Sequence, residues 1–172
     1  MENILETERL QLRKFTKGDA DFIVELVNSP TWLKFIGERN VKTTTEAITF
    51  LENGILKSYQ ENGFGLYLVA LKNTKIPVGM CGLVKREMLE NVDIGFAFLP
   101  NYTQKGYAFE IASATIEYAK NSLKIQKIVA ITTENNWSSI KLLEKLGLRK
   151  EKTIKLSKLD EVLLFSPPSL EG

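Results

Sequence analysis

Phe96-Ala97-Phe98-Leu99-Pro100-Asn101-Tyr102-Thr103-Gln104-Lys105-Gly106-Tyr107-Ala108-Phe109-Glu110 is the stretch whose reading decides the fold. It begins as an apolar strand, stops at a proline, passes through a short polar turn with one glycine and opens a helix. Ala108, Ile111, Ala112, Thr115, Ile116 and Ala119 recur at spacings of three and four, so they share one helix face. Glu110, Ser113, Glu117 and Lys120 fall on the other. A strand that feeds a helix through a tight turn leaves free backbone N–H groups at one place, and the helix dipole adds positive charge there. Such a place holds anions, phosphate above all. Lys105 adds a full charge, and Gly106 lets the backbone approach a ligand without a Cβ between them. Taken alone, the same pattern also describes an ordinary strand-to-helix connection.

Outward from this stretch, composition sets the bounds. A chain of 172 residues is most simply one domain, 1–172, with a core of its own. The net charge is +2 and no dense basic block is present, which argues against a dedicated nucleic-acid binder. No apolar run approaches the length of a membrane span. The acidic, polar N-terminal stretch lacks a signal pattern, so a cytoplasmic protein is expected. Cys81 lies in an apolar run and reads as a buried structural thiol. The sequence has no histidine, which excludes a His-dependent triad and a His-ligated zinc site, and no metal is expected.

Before the central stretch, Arg9 to Arg13 alternates as a short half-exposed strand. Residues 16–28 carry Phe22, Ile23, Leu26 and Val27 at helical spacing, and Ser29-Pro30 stops them. Trp32, Phe35 and Ile36 follow in a less regular piece. Thr43 and Glu46 fit a capping box ahead of a helix bearing Ala47, Phe50, Leu51 and Ile55, closed by Gly63. Residues 64–71 read as a strand buried on both faces, 72–75 as a turn and 76–84 as a strand whose Gly79 and Gly82 signal a bend or close backbone approach. With 92–98 these make an antiparallel meander. After the central helix, 126–132 reads as a strand parallel to 92–98 through a right-handed crossover, and two strands diverging beside it would leave a cleft. Asn135 to Leu148 is a short helix with a polar start, an apolar stripe at Leu142, Leu143 and Leu146, and a stop at Gly147. Residues 150–165 suggest a final hairpin, and 166–172 a loose tail.

Two motifs now stand in order. The strand ending at Pro100 with Thr103-Gln104-Lys105-Gly106-Tyr107-Ala108 is similar to the cofactor motif of the GNAT superfamily of N-acetyltransferases. Asn136-Trp137-Ser138-Ser139, followed by an apolar helix ending in Leu146-Gly147-Leu148, resembles the family's second motif. The opening Glu6 to Arg13 resembles the RimJ/RimL-like branch, which acetylates ribosomal-protein N-termini. The resemblance spans nearly the whole chain. It implies an α/β (α+β) domain: a central mixed, mostly antiparallel twisted sheet, helices on both faces and a cofactor cleft between two splayed strands. Thr103 stands where the family usually has Arg or Gln, and Gln104 where many members have glycine. Leu143 stands where many carry a tyrosine acid.

The resemblance implies transfer of acetyl from acetyl-CoA to a primary amine by direct attack, without a covalent enzyme intermediate. It assigns the cofactor to Phe98, Leu99, Thr103, Gln104, Lys105, Gly106, Tyr107, Ala108, Asn136 and Ser139. The backbone N–H groups near Phe98 and Leu99 would receive the oxyanion. Ser139 would donate to the leaving thiolate, whose pKa is roughly 8.5 by analogy with cysteine. Asn136 would hold the pantetheine amide, or cap its helix, or both. Trp137 lines the pocket or simply packs, and Tyr107 packs. A lysine side chain titrates near about 10.4 and a chain N-terminus near about 7.7 to 8.0, so an α-amine asks less of a base. Without histidine, that base defaults to a carboxylate acting directly or through water. Asp93 is the first candidate; its other reading is a solvated or salt-bridged strand residue. Glu87, Glu110 and Glu151 come after it.

Three readings remain open: acetylation of a peptide N-terminus, acetylation of a small amine such as a polyamine, amino acid or antibiotic, and a coenzyme A-binding or sensing module without turnover. An acceptor pocket near Trp32, Phe35 and Glu151 would separate the first two. An open groove suits a peptide, and a closed acidic pocket suits a cationic amine. A monomer or homodimer is expected.

Overall fold

The computed structural model describes residues 2–157 and 160–169. Eight strands, β1 (Asn3–Glu6), β2 (Leu10–Arg13), β3 (Leu66–Leu71), β4 (Pro77–Val84), β5 (Val92–Phe98), β6 (Ile128–Thr132), β7 (Arg149–Lys155) and β8 (Glu161–Ser166), form one sheet. Its order is β1-β2-β3-β4-β5-β6-β8-β7. The meander β3-β4-β5 is antiparallel, as its short links require, and so are all other neighbours except the parallel pair β5 and β6. Among the described residues no helix is long and apolar enough to cross a membrane.

Both faces of the sheet are covered. Successive strand side chains point to opposite faces, so Tyr67, Val69 and Cys81 meet one layer while Leu68, Ala70 and Met80 meet the other. The first layer is α5 (Tyr107–Asn121) and α6 (Trp137–Lys145), which bury Ile111, Ala112, Ala119 and Leu143. The second is α1 (Ala20–Val27), α2 (Pro30–Phe35), α3 (Thr44–Phe50), a π-helical turn at Leu51–Ile55, and α4 (Leu56–Asn62).

Local signals are realised closely. Thr43 Oγ1 accepts from the Glu46 N–H at 3.1 Å, while Glu46 returns its carboxylate to the Lys42 N–H, one residue earlier than a strict capping box. Gly63 closes α4 in the left-handed region at φ 76°. The glycines of β4 mark close approach: a Cβ on Gly79 would sit 2.4 Å from the Ala97 carbonyl oxygen, and one on Gly82 2.2 Å from that of Gly65. Cys81 is fully buried beside Thr115, and burial pushes its thiol up to about 12.

Three expectations change. β2 is buried along its whole length, because β1 and β3 flank it and helices cover both faces; Arg13 is neutralised there by a two-pronged pair with Asp19 at 2.9 and 2.8 Å. The piece around Trp32 is the helix α2, with Pro30 at its first turn, a position where a missing N–H costs nothing. Ser166 belongs to β8 and is buried, its hydroxyl donating to Glu151, so the tail begins at Pro167; residues 170–172 of that expected tail lie outside the described residues.

Candidate active site

Strands β5 and β6 pair only at Val92↔Ile128 and Asp93↔Val129. Beyond that point β5 stays on β4 and β6 turns to β8, so the two part. The ladder settles which backbone groups face the opening. The Leu99 N–H donates to the Val78 carbonyl at 2.9 Å, and the register sets Phe98 opposite Gly79. Successive residues of an antiparallel strand turn their backbone groups to opposite sides. Ala97 and Gly95 therefore face β4, as Leu99 does, while Ile94, Phe96 and Phe98 turn N–H and C=O toward the opening. Leu99, expected as an oxyanion donor, has its N–H already engaged; of the two expected donors only Phe98 turns its N–H the right way.

The strand then runs through a 3₁₀ turn at Pro100–Tyr102 into residues 103–106. Thr103 closes that turn, donating its N–H and its hydroxyl to the Pro100 carbonyl at 3.3 and 2.8 Å. Gln104 and Gly106 both take the left-handed conformation, φ 59° and 83°. From Gln104 to Phe109, no backbone N–H finds an acceptor among the described residues. A run of N–H groups in this geometry, at the start of a helix of 15 residues, can serve as an anion cradle. Lys105 is exposed at its rim. Gly106 meets further constraints: its φ disfavours a side chain, and a Cβ would sit 3.2 Å from Arg9 Nη2.

Sequence reasoning gave Arg9 no part in this site. Its Nε is 2.7 Å from Glu110 Oε2, its Nη1 donates to the Lys105 carbonyl at 2.9 Å, and its guanidinium lies 4.4 Å from the Tyr107 ring centre. Glu110 also accepts from the Thr7 hydroxyl at 2.7 Å and the Arg9 N–H at 2.9 Å. Burial alone would raise the Glu110 pKa, but these donors outweigh it and hold the carboxyl below its usual range. Glu110 is thus taken up in this pairing with Arg9 and Thr7. Tyr107 packs, as expected. Glu87 is exposed on the β4–β5 link, and Glu151 takes the Ser166 hydroxyl.

Facing the cradle's helix, Asn136 caps α6: its Oδ1 accepts from the Ser139 N–H at 3.3 Å. Its amide N–H₂ and the Ser139 hydroxyl have no protein partner among the described residues. Trp137 is 69% exposed, so it does not pack. Leu143 is 1% exposed and lies in the core, where it offers no proton.

Asp93, on β5 where the strands part, is 1% exposed and accepts from Arg86 Nε at 3.0 Å. Burial raises its pKa and Arg86 opposes the rise without cancelling it. On the α1–α4 side an open trough of about 860 Å³ is lined by Arg39, Thr45, Glu46, Phe50, Asn53, Lys57, Glu61, Leu66, Val84 and Lys85, among others. Its back wall includes the π-helical turn, a distortion frequent at functional sites. Trp32, Phe35 and Glu151, expected near the acceptor pocket, are not among its lining, and Trp32 is packed among α1–α3 residues. A Cβ on Gly95 would lie 3.5 Å from Leu66 and 3.9 Å from Val84, so the trough's floor abuts β5 two residues from Asp93.

Residues 9–149 match the acetyltransferase (GNAT) domain family. The chain is 30% identical over 171 residues to the uncharacterized N-acetyltransferase p20 of Bacillus licheniformis, with 94% of each chain covered. Its fold is similar to that of RimL, a ribosomal L7/L12 alpha-N-protein acetyltransferase in complex with coenzyme A, at TM-score 0.81 and 17% identity, covering 96% of this chain and 97% of that one. It is also similar to a chimera of spermidine N-acetyltransferase SpeG from Vibrio cholerae and hSSAT, at TM-score 0.75 and 19% identity, covering 92% and 94%. The chain belongs to the GNAT acetyltransferase family and is an acetyl-CoA-dependent acetyltransferase.

Proposed function

We propose that this enzyme acetylates the α-amine of a peptide or protein N-terminus. The observation that carries the cofactor half is the unbroken run of free N–H groups from Gln104 to Phe109, which fits a pyrophosphate. Bound acetyl-CoA supplies the thioester that the amine attacks. Phe96 and Phe98 offer backbone groups to the pantetheine arm, and Asn136 its free amide. The Phe98 N–H donates to the thioester oxygen, and the Ser139 hydroxyl to the departing sulfur.

For the acceptor half, the trough is open and carries both signs of charge: Arg39, Lys57 and Lys85 against Glu46 and Glu61. Glu46 is already engaged in its helix cap and Glu61 pairs with Lys57. That lining suits an extended peptide better than a polycation. An α-amine also has a pKa of only about 7.7 to 8.0, within reach of one carboxylate, and Asp93, two residues along β5 from Gly95, is the candidate.

The test is a thermal melt with acetyl-CoA, with NAD and ATP as controls, followed by coenzyme A release with peptides and with spermidine. A ligand at a hundred times its Kd adds about 2.7 kcal/mol, which moves the midpoint of a domain this size by several degrees. A shift with acetyl-CoA alone and turnover on free-N-terminal peptides support the reading. Turnover on spermidine but not on peptides overturns the acceptor half, and no shift overturns the cofactor half.

A further inference from the structure

Arg9 lies 96 residues before the carbonyl to which it donates, in the link between β1 and β2, yet it touches the anion cradle at Lys105 and Tyr107 and the helix beyond it at Glu110. Gln104 is a non-glycine residue in the left-handed region, a conformation that persists only where surrounding contacts hold it. The Arg9 hydrogen bond reaches the Lys105 carbonyl between the two left-handed residues Gln104 and Gly106, where it can brace that conformation. With that carbonyl drawn to Arg9, it does not accept the Phe109 N–H four residues on, which a further helical turn would pair with it. Arg9 is itself held: its Nε pairs with Glu110 on the first turns of α5, Thr7 fixes the same carboxylate, and the guanidinium rests on Tyr107. Since Glu110 sits 2.7 Å from Arg9, the pair brings little net charge to the cradle. Its contribution is shape.

We propose that Arg9 is the positioning residue of the cofactor loop: anchored on Glu110 and Tyr107, it holds the Lys105 carbonyl away from the cradle and so sets affinity for acetyl-CoA. This rests on the assignment of the cradle to that cofactor. It also explains how the loop works with Thr103 closing the preceding turn and a non-glycine residue at position 104.

The test measures Kd for coenzyme A by calorimetry, and kcat and KM, on Arg9→Ala, Arg9→Lys and the double variant Arg9→Ala with Gln104→Gly. Arg9→Ala raises Kd at least tenfold, with kcat at saturating acetyl-CoA within about threefold of the unsubstituted enzyme. Arg9→Lys stays close to Arg9→Ala, because one ammonium cannot hold a carboxylate, a carbonyl and a ring face together. Gln104→Gly in the Arg9→Ala background recovers at least threefold, because glycine takes the left-handed conformation unaided. The dependence of Kd on salt keeps its slope in Arg9→Ala; a slope lower by about one would mean that Arg9 grips a phosphate directly and would overturn the positioning role. Should Arg9→Ala fail to fold, Thr7→Val, which loosens Glu110, raises Kd twofold or more. Unchanged Kd in Arg9→Ala, or in Thr7→Val where Arg9→Ala does not fold, overturns the proposal. Failure of the unsubstituted enzyme to bind coenzyme A would instead overturn the cofactor assignment.

Discussion

Arg86 Nε donates to Asp93 Oδ1 at 3.0 Å, joining the start of the β4–β5 link to the strand that borders the cleft. Arg86 is partly exposed while Asp93 is closed off, so the ion pair reaches from solvent to the point where β5 and β6 part. The pair admits two roles for Asp93, proton acceptor or structural tie, and pH separates them. With Asp93 as base, Asp93→Asn lowers kcat/KM for a peptide acceptor by about 100-fold at pH 7. The deficit shrinks as pH rises past the α-amine pKa of about 7.7 to 8.0, because the amine then arrives neutral. A pH–rate profile of both proteins checks this; a deficit of equal size at pH 7 and pH 9 assigns Asp93 to structure alone.

Ser139 is held in the first turn of α6 by the Asn136 cap, with its hydroxyl free. One hydrogen bond to a developing thiolate is a charged one, worth about 1.5–3 kcal/mol. Ser139→Ala is expected to lower kcat by about 10- to 100-fold with little change in KM for acetyl-CoA. Steady-state kinetics in acetyl-CoA at saturating acceptor reads both parameters. A rise in KM at constant kcat would give Ser139 a binding role instead.

Gly95 has room for a Cβ at ordinary contact distance from Leu66 and Val84, so a side chain there is accommodated but narrows the floor of the trough. Gly95→Val is expected to raise KM for the acceptor by about tenfold, while the melting shift produced by acetyl-CoA is retained. Loss of the acetyl-CoA shift with an unaltered acceptor KM would separate the trough from the acceptor path.

Glu110 carries a pH signature of stability. Its folded-state pKa is lowered, so the unfolded chain binds its proton more readily. The stability it contributes is therefore complete above the unfolded value of about 4.3 and is lost as pH falls through the folded value. Denaturant unfolding of the protein and of Glu110→Gln from pH 7 down to pH 3 should show a gap that is full at neutral pH and closes in acid. A gap that widens in acid would contradict the hydrogen-bond pattern around this carboxylate.

Much was legible in the sequence because it depends on near neighbours. The strand–turn–helix of 96–110, the Thr43 and Asn136 caps, the Gly63 stop and the buried face of α5 all rest on hydrogen bonds or periodicities spanning a few residues. Even the parallel pairing of β5 and β6 follows from the strand–helix–strand order. The misread pieces were those in which packing outweighed local pattern. Pro30 stops one helix but starts another, and β2 alternates in sequence yet is covered on both faces.

What only the tertiary structure decided is how distant segments meet. The direction of the Leu99 N–H depends on its register with Val78, and the trough brings residue 39 to residue 85. Arg9 reaches Lys105 because β1 and β2 lie at the sheet's edge beside the start of α5. No periodicity encodes such contacts. They form once the sheet order is set, when burial of both faces repays the entropy of closing loops of many tens of residues. The sequence by itself determined that a tight turn with a glycine would stand between a strand and a helix; the fold determined that Arg9 would reach that turn.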